Sequence, residues 1–463
     1  YITGIEQEEA YIFKSVDSGA TLSFKSSLPI DTQDHYNFCF AVHPLNHDWL
    51  HIAGVKIFYS WDGGVSTSLM VGGGGLVYGS LHNDHHQLKY LKPAFSGQPI
   101  LWSCNDGGVA YLEEGATSWT ERSGQLAITQ LWGMDVDKRL DRSSPTVLFG
   151  TQDNGSHILV TGQGRQVSGG DGIESVFARK TGCRDVFVTV QKGVIYKRTL
   201  FPLGSIVDIT PSDINWLEDG PGAPFLTMIE GHPYNPGYTN NDILLAAQYD
   251  VWVNDTDDHL SDDWQRISNF NAGAGCTALA ASPLKKCHMA AAFEEELYVL
   301  NVTDANCVTW NASMNWVDRK NASVMNGKIT DIVFSETEQN TCWITLGNAF
   351  NTIKVLKTTD MGVTWTDISG SLPDISINAI ETDGKSNNGL YIGTDAGVFY
   401  RNDEIGDWIP FDNGLPSVII SELDFDPIDS RLYAGSFGRG IWRSNEYGRD
   451  CVDHYYFSSN QSG

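Results

Sequence analysis

Two segments near the end of the chain, LYIGTDAGVFYRN at Leu390–Asn402 and LYAGSFGRGIWRSN at Leu432–Asn445, are one unit written twice. They stand about forty residues apart, and an internal repeat of that period limits the fold more than any single residue does. Each copy holds a short apolar strand ending in Gly, a tight turn, a second apolar or aromatic strand and a polar turn. Traced backwards, the second strand centres near Phe13, Phe58, Val109, His157, Ile195, Trp252, Tyr298, Val355, Phe399 and Trp442. About ten copies at a mean spacing of roughly 48 residues predict four-stranded blades, the module of a β-propeller. No long stretch carries a helical apolar period, so the chain reads as all-β.

The polar turn is clearest at Thr358-Thr-Asp360-Met-Gly362-Val-Thr364-Trp365, with further copies at Ser15–Thr21 around Asp17 and Ser60–Ser66 around Asp62. A short carboxylate accepts hydrogen bonds from backbone N–H groups a few residues on and so closes a hairpin. Gly362 supplies a positive φ. Trp365 serves as an apolar plug between strands. Asp17, Asp62 and Asp360 therefore read as structural rather than catalytic.

These turns resemble the Asp-box, or BNR repeat, of sialidases, sortilin-type receptors and glycoside hydrolase family 74, where the motif lies away from the ligand-binding face. A longer ordered set strengthens the resemblance: LHNDHHQL at Leu81–Leu88, CNDGGVAYL at Cys104–Leu112, LAITQLWGMDVD at Leu126–Asp137, GTQDNGS at Gly150–Ser156 and GGDGIE at Gly169–Glu174. Similar strings occur in this order in large secreted Asp-box propeller proteins, many from Bacteroidetes. Such relatives commonly carry two seven-bladed propellers. Seven copies counted back from the end imply a seven-bladed ring in residues 125–463 and a three-blade arc, an incomplete ring, in 1–124. The alternative is one ten-bladed ring, as in sortilin-type receptors.

Lys plus Arg total 30 against 57 Asp plus Glu, a formal charge of −27. That surface repels nucleic acid and anionic membrane. No apolar run is long enough to span a bilayer. Eight cysteines without a CxxC pair suggest disulfides and an oxidising compartment, with Cys276–Cys287 and Cys307–Cys342 as candidate local bridges. Sequons at Asn154, Asn254, Asn301, Asn311, Asn321 and Asn460 fit a secreted, glycosylated chain. The start at Tyr1 fits a processed product.

Three groups of residues are candidates for chemistry. On a strand, His82, Asp84 and His86 would share a face and suit a divalent metal ion, or form a hydrogen-bonded network. Asp153 and Asp171 beside Gly-bounded turns could act as a glycosidase pair, bind calcium, or cap their turns. Most tryptophans recur in phase with the repeat, as packing residues do; Trp132, Trp216 and Trp316 lie off phase and are better placed for a ligand or partner. The catalytic sets of sialidases and family 74 enzymes find no residue-by-residue match. The leading expectation is a secreted non-catalytic propeller for adhesion or extracellular assembly, self-associating or completed by a partner chain and open to carbohydrate. The alternatives are a family 74-like polysaccharide hydrolase and a sortilin-like peptide binder.

Overall fold

The computed structural model describes the chain apart from residues 7–8, 32, 72–80, 93–96, 125, 181, 201, 212–223, 234–242, 257, 271, 304–306, 308, 348–351, 386, 450–454 and 458–463. The described residues form ten antiparallel sheets in chain order, nine of four strands and one of three. Within each four-stranded sheet the strands pair in sequence order, as a meander. Each of the ten repeat centres falls on a strand of a different sheet. The only α-helix among the described residues is Asp34–Asn37.

The chain divides into two compact units, Tyr1–Leu126 and Ala127–Ser459. The first unit holds three sheets. Its first sheet contains β1 (Ile2–Glu6), β2 (Glu9–Lys14) and β3 (Ser23–Pro29), one strand fewer than the expected four. The position of the polar turn identifies which three strands of the module these are. In the second sheet the Asp62 turn joins the third strand, Ile57–Ser60, to the fourth, Ser68–Val71. The Asp17 turn joins β2 to β3, so β1, β2 and β3 correspond to strands two, three and four. Among the described residues no strand pairs with the remaining edge of β1. Ala10, Ile12 and Leu28 of the first sheet pack on Leu50 and Ile52 of the second. Ala53, Ile57 and Met70 continue onto Leu88, Leu101 and Trp119 of the third.

The second unit holds seven sheets. Their first strands are Leu131–Val136, Gly172–Phe177, Met228–Gly231, Ala278–Ala281, Ile329–Phe334, Ile377–Thr382 and Ile420–Asp426. Each packs against the next, and Ile420–Asp426 packs against Leu131–Val136. Apolar clusters fill the space between successive sheets, for example Leu356 and Ile344 against Ala290 and Leu297. The glycines of GTQDNGS and GGDG stand where two sheets nearly touch: a Cβ on Gly172 would lie 2.5 Å from the Gly155 carbonyl oxygen. Backbone approach, rather than turn flexibility alone, therefore requires Gly at this position.

Three copies of the polar turn have one geometry. The Asp17 carboxylate accepts from the Thr21 N–H at 2.9 Å and the Thr21 hydroxyl at 2.6 Å. Asp62 does the same with Ser66, and Asp360 with Thr364. The preceding hydroxyl, Ser15, Ser60 or Thr358, donates to the same carboxylate and accepts the N–H of the turn glycine. Hydrogen bonds from Thr21 and Ser66 hold the Asp17 and Asp62 carboxyls down to about 2. At Asp360 burial pushes upward, and the donors from Thr364 and Thr358 outweigh it. Gly362 adopts φ +80, and Trp365 packs on the core beside it.

Candidate functional site

The first strands of the second unit carry an acidic residue inside an otherwise apolar run: Asp135, Glu174, Glu230, Asp331, Glu381 and Glu422, with Asp424 two residues beyond. Alternation places these carboxyls on one face of each strand, opposite the side chains that fill the sheet interior. Together they line a cavity of about 160 Å³ that also contains Lys138 and Arg179. Only the strand Ala278–Ala281 contributes small apolar side chains in place of an acid.

Several of these carboxylates serve as structural acceptors. Asp135 accepts the Phe177 N–H at 2.7 Å and pairs with Arg179 at 3.1 Å. Asp331 accepts the Ile380 N–H at 2.7 Å. Asp424 accepts the Val136 N–H and pairs with Lys138 at 2.6 Å. In each case an acid on one first strand is tied to the backbone of a neighbouring first strand. Glu381 and Glu422 accept N–H groups of their own strands, at Thr382 and Leu423.

Seven carboxyls against two cations cannot all remain ionised in so small a volume. Burial raises the carboxyls at Asp135 to about 6, Glu230 to about 7 and Glu174 to about 8. It also raises Asp331 to about 7 and Glu381 to about 8, and it lifts Glu422 well above the carboxyl range. Neighbouring acids reinforce the rise at Glu174 and Glu422, while Arg179 and Lys138 moderate it at Asp135, Glu230 and Glu381. At Lys138 burial favours the neutral amine, and Asp424 and Glu381 outweigh it, keeping the ammonium charged. The cavity therefore holds neutral and ionised carboxyls together around two cations. The sequence reading passed over this set, although an acid recurring within the first apolar strand of successive copies was visible as GMDVD, GIESVF, MIEGH, TDIVF, AIETD and SELDFD.

The Asp153 and Asp171 pair lies elsewhere, at turns on the opposite end of the sheets from the Asp360-type turns. The two residues do not face each other across a cavity; they sit on adjoining turns joined by Gln152. The Gln152 amide donates to Asp153 at 2.9 Å and to Asp171 at 2.9 Å, and its oxygen accepts Trp132 Nε1–H at 3.0 Å. The Asp153 N–H donates to the Asp171 carboxylate at 2.8 Å. Burial raises the Asp171 carboxyl. Trp132 also packs on Phe437. The Trp316 indole donates to the Ile267 carbonyl and its ring packs on Phe270, so this off-phase tryptophan belongs to the core. Trp216 lies outside the described residues.

His82, Asp84 and His86 do not share a strand face. The strand begins at His85, after Asp84 at φ +58, which breaks the alternation. His82 covers Gly107, Asp84 accepts from Asn37 at 2.6 Å, and His86 pairs with Asp106 at 2.6 Å. The buried residue is His85, hydrogen-bonded to Ser103. Among the described residues no group of three or more His, Cys, Asp or Glu is arranged to hold a metal ion.

The cysteine pairing differs from the expected local bridges. Cys287 is bonded to Cys307, linking the turn before the second strand of its sheet, His288–Phe293, to the segment after the third, Glu296–Asn301. Cys276 and Cys342 are buried free thiols, both raised to about 12 by burial. Spacing leaves the choice among consecutive cysteines open, and pairing of the second and third strands of this sheet brings Cys307 back to Cys287. Of the sequons, Asn301 and Asn311 are exposed and Asn154 and Asn321 half-buried. Asn254 is fully buried with its amide donating to the Leu260 carbonyl, which leaves no room for a glycan. Asn460 lies outside the described residues.

No family model matches the chain, and no curated protein matches it. Among solved structures it is similar to the crystal structure of Chaetomium thermophilum Raptor, at 13% identity and a TM-score of 0.48. That similarity covers 69% of this chain and 28% of Raptor. No helix among the described residues is long and apolar enough to cross a membrane.

Proposed function

We propose that the chain is a secreted, non-catalytic Asp-box propeller that assembles with other chains outside the cell. The observation that carries this reading is the edge of β1. Its sheet has the equivalents of strands two to four, and among the described residues nothing pairs with β1 on the side where a first strand belongs. Unpaired N–H and C=O groups on such an edge are a template for a further strand, from a preceding segment of the same protein or from another chain. Ile2 and Ile5 on β1 are exposed, and so are Leu22 and Phe24 beside or within β3.

In this reading the second unit is a complete seven-bladed ring. Packing of Ile420–Asp426 on Leu131–Val136 supports closure, as does the repetition of one acid-to-backbone contact at that junction and at two others. A ten-bladed ring would place those two strands apart. The non-catalytic assignment is supported by the use of the axial aspartates as ligands for backbone N–H groups and cations. The disulfide favours an oxidising compartment.

The test is size. Multi-angle light scattering across a concentration series is expected to give masses above the 463-residue monomer, falling back towards monomer in Ile5→Lys, which places a charge on the edge. A monomer at every concentration, together with no strand donor recovered by crosslinking from the native source fluid, overturns the reading.

A further inference from the structure

The first unit contains a cavity of about 480 Å³ between its second and third sheets. The volume falls within the usual range for small-molecule sites. Two equivalent turns border it. Trp61 lies in the polar turn after the third strand of the second sheet, and residues 113–117 form the turn at the same place in the third. Glu113-x-Gly115-x-Thr117 keeps the spacing of Asp62-x-Gly64-x-Ser66, so Glu113 stands where the turn-closing aspartate belongs.

The two turns use their acids differently. Asp62 spends its carboxylate on the Ser66 N–H and hydroxyl. Among the described residues the Glu113 carboxylate makes no such bond with Thr117, and Glu113 and Glu114 are both exposed where they line the cavity. The Glu114 charge acts on the opposite wall. Burial raises the Tyr90 phenol, and Glu114 adds to the rise.

The rest of the wall is aromatic and aliphatic. Trp49 and Trp61 meet edge to face at 5.0 Å. Trp61 keeps 43% of its surface exposed, and Trp49 and Tyr90 are half-buried, so each keeps accessible ring surface. Met70 and Leu112 add apolar surface. The two wall histidines carry no charge. Nδ1 of His43 accepts the Leu45 and Asn46 N–H groups and so holds no proton, and burial holds His51 down to about 3. Among the described residues no Lys or Arg lines the cavity, so the two glutamates set its sign.

We infer that this cavity binds a quaternary ammonium group of the choline type. Aromatic rings attract such a cation through their quadrupoles, and carboxylates beside it add to the attraction. A neutral ligand gains nothing from that charge. The apolar wall also discriminates among cations. A primary ammonium brings three N–H donors that each need an acceptor, and burial without one is costly. A quaternary head has no N–H, so it meets aromatic and aliphatic surface without leaving a donor unpaired.

The test is ligand-observed NMR titration of the full chain with choline, with its neutral tert-butyl isostere, in which carbon replaces the nitrogen, and with ethanolamine. Choline is expected to bind about tenfold more tightly than the isostere, and more tightly than ethanolamine. Glu113→Gln/Glu114→Gln, on an exposed turn where folding is not at risk, is expected to weaken choline several-fold and leave the isostere unchanged. Trp61→Ala is expected to weaken choline about tenfold, with Trp61→Tyr retaining most of the affinity. No choline binding at millimolar concentration overturns the inference. So does equal affinity for choline and either the isostere or ethanolamine, or choline binding undiminished in both Trp61→Ala and the Glu double variant.

Discussion

The Asp424 carboxylate accepts the backbone N–H of Val136, a residue 288 positions earlier in the chain. The same contact recurs between Asp135 and Phe177 and between Asp331 and Ile380, each joining neighbouring first strands. Asp424 also neutralises Lys138. Removing it in Asp424→Ala leaves a buried N–H without its acceptor and an ammonium without its ion-pair partner at 2.6 Å. The expected loss is about 3 kcal/mol in urea unfolding. Asp429→Ala, whose carboxylate is partly solvated against Arg142, is expected to lose under about 1 kcal/mol. Equal losses would mean that the Asp424 contact has no special weight.

The cavity acids set a pH dependence. A carboxyl whose folded pKa lies above its unfolded value binds its proton more tightly when folded. Its stabilisation is full below the ordinary carboxyl range and disappears as pH rises through the folded value. With folded values between about 6 and 8 at Asp135, Glu174, Glu230, Asp331 and Glu381, melting temperature is expected to climb by several degrees as pH falls from about 8 to about 6.5. Below that, the buried neutral His51, His85 and His232 oppose the rise, because unfolding lets them take up protons. Glu174→Gln is expected to melt higher than the parent at pH 8 and to show a flatter profile. A profile rising steadily towards alkaline pH would contradict the acid cluster.

The disulfide closes a loop of 20 residues. In the chain-entropy account its loss in Cys287→Ser/Cys307→Ser costs about 3 kcal/mol. Thiol titration of the folded protein is expected to leave Cys276 and Cys342 unreacted until denaturant is added, because both are buried with raised pKa. Fast labelling of either would place it at the surface.

Asp360→Ala removes the acceptor for the Thr364 N–H and hydroxyl on an exposed turn. A cost of about 1 kcal/mol in urea unfolding is expected. A loss of several kcal/mol would give Asp360 a role beyond its turn.

The repeat was legible because every sheet spends its third strand on an apolar or aromatic run; Phe13, Phe58 and Trp442 all fall there. Asp17, Asp62 and Asp360 were legible as turn residues because the chemistry is local, complete within seven residues of chain. What was not legible depended on contacts between copies. Cys307 reaches Cys287 through sheet pairing, which spacing alone does not show. His82 and His86 were assigned to one face because the strand start at His85 was not visible. The cavity acids hid in plain view, since a single Glu within an apolar strand reads as a solvent-facing position until neighbouring strands converge on it. His43 and His51 flank the turn of one hairpin and Trp61 follows the third strand, so their convergence depends on the folded sheet.

The cavity acids also make the formal charge of −27 an overstatement for the native particle. Near neutrality several of those carboxyls keep their hydrogens, so the native form migrates towards the anode more slowly than its composition implies. Unfolding it there liberates hydrogen ions into the medium, and the apparent heat of denaturation then varies with the ionisation enthalpy of the buffer.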